Sequence, residues 1–361
     1  MAIMPQQKRN NSQTDFIIVG QGIAGSVLSL SLINAGYSVS VIDKPSLSSS
    51  SKVAGGIWNP IVFKRITKSW MADELVPELT LFFEYWENRF KESFIRHREI
   101  IKPFTEEQEK NLWLKKSHDV NSENIYLDKN IYENYQLDND YIVKSYSKVL
   151  KAGNLDVAKF LNLTKQFVSE NQSYIEEEFD HNQLDVSVNK VQYKSVAATN
   201  IIFCEGHLIS KNPYFNWIPM KPAKGETLTI ESNDIQLSND IFNKGFFIMP
   251  LEKNQFKIGA TYEWNELNDF PTDKGKQYLI EKLDAVIKTP YKIIAHEAGV
   301  RPSVIDRRPV IGNHPVYNNV FVFNGLGTKA VMIAPYFAKQ FVGSLQNNYK
   351  FNKEVDPSRF L

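Results

Sequence analysis

The stretch from Asp15 to Asp43 constrains the fold more than any other part of this 361-residue sequence. It begins with a short apolar run typical of a strand buried on both faces, Phe16–Val19, and enters a tight glycine turn, Gly20–Gly25. Apolar residues at helical spacing continue to Gly36, and alternating apolar residues then lead to Asp43. This order of strand, turn, helix and strand predicts a βαβ unit.

The turn has the pattern G-x-G-x-x-G, in which each glycine has a separate physical role. Gly20 permits the tight turn, Gly22 lets the backbone approach a pyrophosphate, and Gly25 lets the helix pack on the strand. Free N–H groups and the positive end of the helix dipole favour phosphate at this point. Asp43 stands where a carboxylate can bond ribose hydroxyls. The unit therefore predicts dinucleotide binding, and the motif leaves FAD and nicotinamide dinucleotides open.

Length and composition narrow the class of protein. The length favours two intimately joined domains, and 42% hydrophobic and 23% charged residues are typical of an ordinary soluble enzyme. With a net charge of +1 and no basic tract, we expect no nucleic-acid partner. The polar segment 1–14 lacks an apolar signal core, and no run is long enough to span a bilayer. The cytoplasm is the expected location.

Cysteine and histidine usage points away from disulfides and metals. Cys204 is the one cysteine, so no internal disulfide can form, which fits a reducing compartment. We expect Cys204 to be a small buried residue and not a nucleophile. The six histidines show no metal-ligand spacing, so no metal site is predicted.

Two kinds of segment alternate along the chain. Nucleotide-type elements occupy residues 1–70, 142–208 and 291–361, and substrate-type segments at 71–141 and 209–290 are inserted between them. The sequence thus predicts an α/β fold in which a discontinuous Rossmann-type domain carries an inserted α+β domain built on an antiparallel sheet.

Local patterns add predictions near the expected site. Polar residues 118–140 are typical of a surface loop or a lid, and Tyr141–Tyr146 and Ser147–Leu150 are predicted strands. Lys224–Glu226 is a predicted turn. A serine-rich stretch, Ser46 and Ser48–Ser51, leads to a glycine-containing block, Gly55–Pro60, where the backbone can approach a cofactor.

The assembled motifs resemble the FAD-dependent D-amino-acid oxidase superfamily, especially its glycine oxidase and sarcosine oxidase branches. The resemblance covers most of the chain and rests on blocks in a fixed order: Gly20–Gly25 with Asp43, Gly55–Pro60, Ile258–Thr261, Gly299–Pro302, Asp306–Gly312, and Gly325–Lys329 with Ala334 and Pro335. The stretch Gly259–Glu263 is also similar to the oxidase half of the bifunctional enzyme that modifies tRNA wobble uridines.

The resemblance implies a Rossmann-type FAD-binding domain with the flavin ring between it and the inserted substrate domain. FAD would be non-covalent, because no late cysteine is available for attachment. The late glycine loop would border the ring, and the following helix would direct its positive N-terminus at the pyrimidine end of the flavin. The expected cofactor-binding residues are Gly20, Gly22, Ile23, Ala24, Gly25, Asp43, Lys44, Gly55, Gly56, Gly206, Gly325, Gly327, Thr328 and Lys329.

The resemblance also implies a reaction at the CH–NH bond of a small or medium amine that bears a carboxylate: a D-amino acid, glycine or an N-alkyl amino acid. Hydride would pass from the α-carbon to the flavin. Two catalytic residues are predicted: Arg301 matches the carboxylate-binding arginine of glycine oxidase-like proteins, and Lys257 matches in position the oxygen-activating lysine of sarcosine oxidases. The predicted pocket residues are Phe246, Met249, Tyr262 and Trp264.

Three alternatives remain open at this point. A flavin dehydrogenase would pass electrons to a quinone or a carrier instead of oxygen. A flavoprotein that had lost catalysis would serve as a binding or assembly module. A nicotinamide-linked oxidoreductase would use the same first motif and would lack a flavin spectrum.

Overall fold

The structure, a computed structural model, describes residues 13–44, 49–119, 124–237, 239–347 and 351–361. Parts of three sequence predictions lie outside the described residues: most of the polar segment 1–14, the serine-rich stretch at Ser46 and Ser48, and residues 120–123 of the polar segment 118–140.

The strands extend over β1 (Gln13–Val19), β2 (Val39–Asp43), β3 (Ile57–Trp58), β4 (Ile61–Val62), β5 (Thr67–Lys68), β6 (Ile95–Pro103), β7 (Tyr132–Gln136), β8 (Ile142–Leu155), β9 (Ser173–Glu176), β10 (Leu184–Ser187), β11 (Lys190–Tyr193), β12 (Val196–Phe203), β13 (Ala223–Glu231), β14 (Ile241–Asn243), β15 (Phe247–Pro250), β16 (Gln255–Gly259), β17 (Lys292–Arg301), β18 (Val310–Asn313) and β19 (Val320–Asn324).

The helices are α1 (Ile23–Asn34), α2 (Ser50–Val53), α3 (Ala72–Phe90), α4 (Glu107–Ser117), α5 (Val157–Asn171), α6 (Asp273–Asp284) and α7 (Ala330–Asn347). Short 3-10 turns occur at His181–Gln183, Gly206–Lys211, Gly327–Lys329 and Pro357–Phe360. None of the helices in the described part of the chain combines the length and the apolarity needed to cross a bilayer.

The first sheet has a parallel centre of the Rossmann type. Strand β1 pairs in parallel with β2 and with β12, β2 pairs in parallel with β9, and β12 pairs in parallel with β19. Antiparallel strands complete its edges, where β11 pairs with β12 and β18 pairs with β19. Helix α1 contacts α5 and α7 as well as this sheet. This burial explains why its residues are apolar nearly all round.

The second sheet is antiparallel except for the parallel pair formed by β14 and β6. Its order is β17-β13-β16-β15-β14-β6-β8-β3, with β7 paired to β8. Strand β13, which lies next to the edge strand β17, is buried from Ala223 to Ile230. The α/β class and the two predicted kinds of sheet are therefore present.

Strand pairing differs from the predicted domain boundaries in two places. Strands β8 and β17 pair within the second sheet, although the boundaries at 142 and 291 assign them to the nucleotide domain. Both strands mix charged and apolar residues without strict alternation, so the sequence pattern does not assign them to one sheet or the other. The domain division itself stays a prediction.

Three local predictions were wrong. Lys224–Glu226 is not a turn but lies inside β13, because its two charged side chains find partners in a buried network described below. Residues 142–155 form the single strand β8 and not two strands. The polar segment 118–140 contains strand β7 and the buried residues Tyr126, Leu127 and Asp138, so its described part is neither a simple surface loop nor a lid.

Candidate active site

A cavity of about 900 Å³ is lined by residues of both sheets. Val19 and Ile42, near the carboxyl ends of β1 and β2, contribute from the first sheet, and Thr227 and Gly259 contribute from the second. Ligands of open α/β sheets bind beyond the carboxyl ends of the parallel strands, so the first sheet meets the cavity at its usual ligand edge.

The glycine turn after β1 depends on close main-chain packing. Gly20 has φ +97°, and a Cβ atom there would lie 2.6 Å from the carbonyl oxygen of Cys204. A Cβ atom on Gly25 would lie 1.9 Å from the carbonyl oxygen of Gly20, so the helix can start this close to the strand only with glycine. Gly22 lines the cavity. The turn therefore presents glycine main chain to a ligand, together with Ile23 and Ala24, which also line the cavity.

Asp43 closes the turn from the second strand. Its Oδ1 accepts a hydrogen bond from the main-chain nitrogen of Gln21 at 2.8 Å, and the hydroxyl of Tyr174 lies 3.5 Å from Oδ2. Burial raises the pKa of the Asp43 carboxyl, and the hydrogen bond from Gln21 opposes this effect. Sequence reasoning missed Gln21 and Tyr174, since neither contact follows from spacing along the chain.

The block that begins at Gly55 also brings main chain to the cavity. Gly55 and Gly56 both line the cavity, and Gly56 has φ +66°. A Cβ atom on Gly56 would lie 2.1 Å from the carbonyl oxygen of Leu155, and one on Gly55 would lie 3.1 Å from the ring of Phe247. A larger residue at Gly56 would clash with main chain, whereas at Gly55 the ring of Phe247 would have to shift by a few tenths of an ångström.

The late glycine loop contributes a partly buried cation. Thr328 and Lys329 line the cavity at the start of α7, and Lys329 Nζ contacts the hydroxyl of Ser69. Burial lowers the pKa of the Lys329 ammonium to about 8. In the described ranges no carboxylate forms an ion pair with it. A positive group in such surroundings favours a negatively charged ligand.

Arg301 lies at the end of β17 with its guanidinium on the cavity wall. Nη1 donates to the carbonyl oxygen of Lys224 at 3.2 Å, and Nη2 donates to that of Thr261 at 3.1 Å. The guanidinium lies directly over Gly225, where a Cβ atom would be 1.9 Å from Nη2. The Tyr262 ring covers it, with its centroid 4.2 Å from Cζ. Burial lowers the pKa of Arg301, and within the described residues no carboxylate is paired with it.

The other predicted pocket residues divide into two groups. Phe246 and Tyr262 line the cavity. Met249 is buried in the core, and Trp264 stacks on Tyr262 at a centroid distance of 6.1 Å with 56% of its surface exposed; neither belongs to the cavity lining.

Lys257 is also away from the cavity lining. It lies on β16 and its Nζ pairs with Glu297 of β17 at 3.2 Å. The structure does not bring this ammonium to the cavity, so its placement does not support oxygen activation.

Most predicted cofactor residues do meet at one cavity. Gly25 and Gly325 are the exceptions, and both are sites of close packing: a Cβ atom on Gly325 would lie 2.6 Å from Val304. The predicted residues in the lining are Gly20, Gly22, Ile23, Ala24, Asp43, Lys44, Gly55, Gly56, Gly206, Gly327, Thr328 and Lys329. Within the described residues, no group of three or more His, Cys, Asp or Glu side chains is placed to hold a metal ion.

Comparison with known proteins decides the family. The model of the DAO family, described as FAD dependent oxidoreductase, matches residues 15–343. The chain belongs to this family. FAD is accordingly the cofactor of the protein, and the protein is an oxidoreductase.

Individual relatives are similar over shorter stretches. Glycine oxidase of Bacillus subtilis (strain 168) is 26% identical over 137 residues, which are 37% of this chain and 36% of that protein. The tRNA 5-methylaminomethyl-2-thiouridine biosynthesis bifunctional protein MnmC of Marinobacter nauticus is 24% identical over 162 residues, 40% of this chain and 26% of that protein. The chain thus matches between about a quarter and about a third of the length of these curated relatives.

Two solved structures are similar to this protein over nearly its whole chain. Glycine oxidase from Geobacillus kaustophilus superposes with a TM-score of 0.78 at 17% identity, covering 96% of this chain and 98% of that one. L-proline dehydrogenase from P. horikoshii gives a TM-score of 0.75 at 14% identity, covering 96% of this chain and 98% of that one. These likenesses confirm the predicted fold class.

Proposed function

We propose that this FAD-dependent oxidoreductase oxidises the CH–NH bond of a small or medium amine that carries a carboxylate, by hydride transfer to FAD. The observation that supports this most directly is Arg301, a guanidinium on the cavity wall without a carboxylate partner among the described residues. A D-amino acid, glycine or an N-alkyl amino acid has the amine and the carboxylate that the proposal requires.

The residues around the cavity fit FAD along its length. The main chain at Gly20 and Gly22 would hold the pyrophosphate, with the Ser51 hydroxyl, which accepts from Ile23 N at 3.2 Å, beside it. Asp43 would accept from the ribose hydroxyls. Lys329 and the N-terminus of α7 would supply positive charge at the flavin end. When bound, FAD supplies the two-electron acceptor that no side chain can provide.

Arg301 would bind the substrate carboxylate. A guanidinium has five N–H donors, and two carbonyl oxygens take one donor each, so donors remain for the two oxygens of a carboxylate. Fixing the carboxylate restricts the position of the neighbouring α-carbon, which is the main requirement of hydride transfer. Phe246 and Tyr262 would form apolar walls around that carbon.

The proposed final electron acceptor is oxygen or an electron carrier. Because Lys257 pairs with Glu297 away from the cavity lining, no residue is proposed for activating oxygen. Admitting air to the substrate-reduced protein separates an oxidase, which regains its flavin absorbance, from a dehydrogenase, which does not.

The test is anaerobic addition of D-amino acids and N-methyl amino acids to the purified holoprotein while flavin absorbance is recorded. We expect at least one compound to bleach the flavin, and its carboxamide to react more slowly. Arg301→Met should reduce kcat/KM for the carboxylate substrate by about 100-fold and leave the FAD content unchanged, because a charge-assisted pair is lost.

Arg308→Met is the matched control. The Arg308 guanidinium lies 4.4 Å from the centroid of Trp70 and is not part of the cavity lining, so kcat/KM should stay within about twofold. A flavin that no amine bleaches would favour a non-catalytic FAD-binding module. Equal rates for the carboxylate and the carboxamide would remove Arg301 as the anchor.

A further inference from the structure

Two charged residues are buried behind the Arg301 guanidinium. Lys224 has 0% and Glu226 has 2% of its surface exposed, and they flank Gly225 on β13. Successive side chains of a strand point to opposite faces, so both charges lie on the face opposite the guanidinium that crosses Gly225. Burying a charge costs free energy unless the charge is paired and hydrogen-bonded. The hydrogen-bond partners of these two residues therefore indicate their structural role.

The Glu226 carboxylate collects three hydrogen-bond contacts. Thr272 donates from its main-chain nitrogen at 3.0 Å and from its hydroxyl at 2.8 Å, and His296 Nε2 lies at 2.8 Å. Because a carboxylate only accepts, Nε2 carries the hydrogen in this contact. Lys224 Nζ lies 3.9 Å from the same carboxylate and donates to Asn268 at 2.9 Å.

Residues 260–272, called the anchor loop here, connect β16 to α6. Its first half hydrogen-bonds to the main chain of the two charged residues: Lys224 N donates to Glu263 O at 2.8 Å, and Glu226 N donates to the Thr261 hydroxyl at 2.9 Å. Its second half hydrogen-bonds to their side chains, through the contacts of Asn268 and Thr272. Main-chain hydrogen bonds of β13 therefore hold the first half of the anchor loop, and the side chains of the buried pair hold its second half.

The fastened loop supplies half of the surroundings of Arg301. Thr261 O accepts from Nη2, and the Tyr262 ring covers the guanidinium. The remaining acceptor, Lys224 O, belongs to the strand that holds the loop. Any shift of the anchor loop away from β13 removes a hydrogen bond and the ring cover from Arg301 together.

We propose that Glu226 is a positioning residue for substrate binding. Through the anchor loop it holds Thr261 and Tyr262 against Arg301 and so sets the affinity of the site for a carboxylate, without touching the substrate. This inference rests on the proposed function, in which Arg301 binds the substrate carboxylate.

The test compares Glu226→Gln with the wild type as holoproteins. Glutamine keeps the size of Glu226 but replaces one acceptor oxygen by an NH2 donor. At the Oε2 position the NH2 group faces the donors Thr272 N and His296 Nε2, and at the Oε1 position it faces only the Thr272 hydroxyl. In both orientations Lys224 loses its counter-charge. We expect KM for the carboxylate substrate to rise about tenfold, while kcat/KM for its carboxamide changes less than about twofold. The Kd of acetate, measured through the flavin absorbance, should rise in parallel with KM, and the FAD content should not change.

Asp138→Asn is the matched control for loss of a buried carboxylate. Asp138 is 0% exposed and accepts main-chain hydrogen bonds from Asp140 at 2.8 Å and from Thr289 at 3.3 Å, but it is not part of the cavity lining. We expect it to lower the midpoint of thermal unfolding and to leave the preference for carboxylate over carboxamide unchanged. A purely structural change would lower kcat/KM for the carboxylate and for its carboxamide by the same factor. If Glu226→Gln does so, the proposal is overturned.

A second variant decides the matter if Glu226→Gln does not fold. Thr272→Val removes the hydroxyl donor at 2.8 Å and retains the charged pair, so the same loss of carboxylate preference should appear at smaller amplitude. An unchanged preference in Thr272→Val would then overturn the proposal.

The outcome also separates this inference from the proposed function. If the wild type prefers the carboxylate and Arg301→Met loses that preference while Glu226→Gln keeps it, only the positioning role is wrong. If the wild type shows no preference for the carboxylate, the proposed function fails first, and the positioning role fails with it.

Discussion

Two parts of the cavity wall, called the main-chain end and the side-chain end here, are built by different means. The end at Gly20 and Gly56 consists of main chain held so closely that a Cβ atom would lie 2.6 Å and 2.1 Å from a carbonyl oxygen. The end at Arg301 consists of side chains from β17 and the anchor loop, held by hydrogen bonds to main-chain carbonyls. The shape of the first end is set by the backbone, whereas the chemical properties of the second end are set by individual side chains.

This difference teaches how the two ends tolerate change. A main-chain site depends on the absence of side chains, so a single added carbon removes it. A side-chain site can change its ligand by exchanging one residue, while the sheet that carries it stays in place. Proteins that share the fold can therefore share the cofactor and differ in substrate.

The largest expected effect comes from Gly25→Val at the main-chain end. A Cβ atom at this position would lie 1.9 Å from Gly20 O, so α1 cannot start where it does and the turn must open. We expect protein that holds no FAD, as measured by the ratio of flavin to protein absorbance. Gly36→Ala is the control, because Gly36 has φ +92° and nothing within 4 Å of a Cβ atom. It should keep FAD at a cost of about 1 kcal/mol. Normal flavin content in Gly25→Val would contradict the main-chain account.

Gly225→Ala tests the side-chain end without removing a functional group. The added carbon would lie 1.9 Å from Arg301 Nη2 and must displace the guanidinium. We expect kcat/KM for the carboxylate substrate to fall by about 100-fold, the scale of a misplacement of about 1 Å, with FAD retained. Gly245→Ala is the control, because Gly245 also lines the cavity but a Cβ atom there would have no neighbouring atom within 4 Å. In this variant kcat/KM should fall far less. Equal losses in both variants would break the comparison between the two ends.

Lys329→Met tests the charge at the flavin end and carries the smallest expected effect. This partly buried cation would stabilise the negative charge gained on reduction, so its removal should lower the two-electron reduction potential of bound FAD by about 30 mV or more. Potentiometric titration against a reference dye measures this shift. Lys339→Met, which removes an exposed partner of Glu78, should leave the potential unchanged.

The same lysine gives a pH dependence with a defined sign. Its pKa is about 8 in the folded apoprotein and 10.5 by its ordinary value, so the unfolded chain binds more protons between these limits. The free energy of unfolding of the wild type should therefore rise with pH from 8 to 10.5 relative to Lys329→Met. Denaturant titrations of both apoproteins across this range check the prediction. A constant difference would show that Lys329 is not desolvated.

The main-chain end could be predicted from the sequence because its determinants are local. Gly20, Gly25 and Asp43 lie in one βαβ unit, and the glycine pattern follows from the geometry of the turn. Arg301 was reached through a motif resemblance, and the structure places it on the cavity wall. Its assignment as anchor stays a prediction.

The network behind Arg301 could not be predicted in this way. Lys, Gly and Glu in succession are typical of an exposed turn, and the contacts of Glu226 that bury it come from Thr272 and His296, 46 and 70 residues away. Lys257 shows the same limit, because its strand was predicted but its pairing with Glu297, 40 residues later, was not. Spacing along the chain predicts helices and strands. The partners of a charged side chain depend on which distant strands pair, and spacing does not show this.

The chain passes repeatedly between the two sheets, and this has a consequence for synthesis on the ribosome. Strand β19 and helix α7, which complete the first sheet and cover α1, are translated after every strand of the second sheet in the described residues. Until residues 320–347 have emerged, the face of α1 that α7 covers is exposed, and residues 201–203 of β12 lack their partner strand. A nascent chain stalled before that point would therefore be a substrate for chaperones, and the two halves could not mature one after the other.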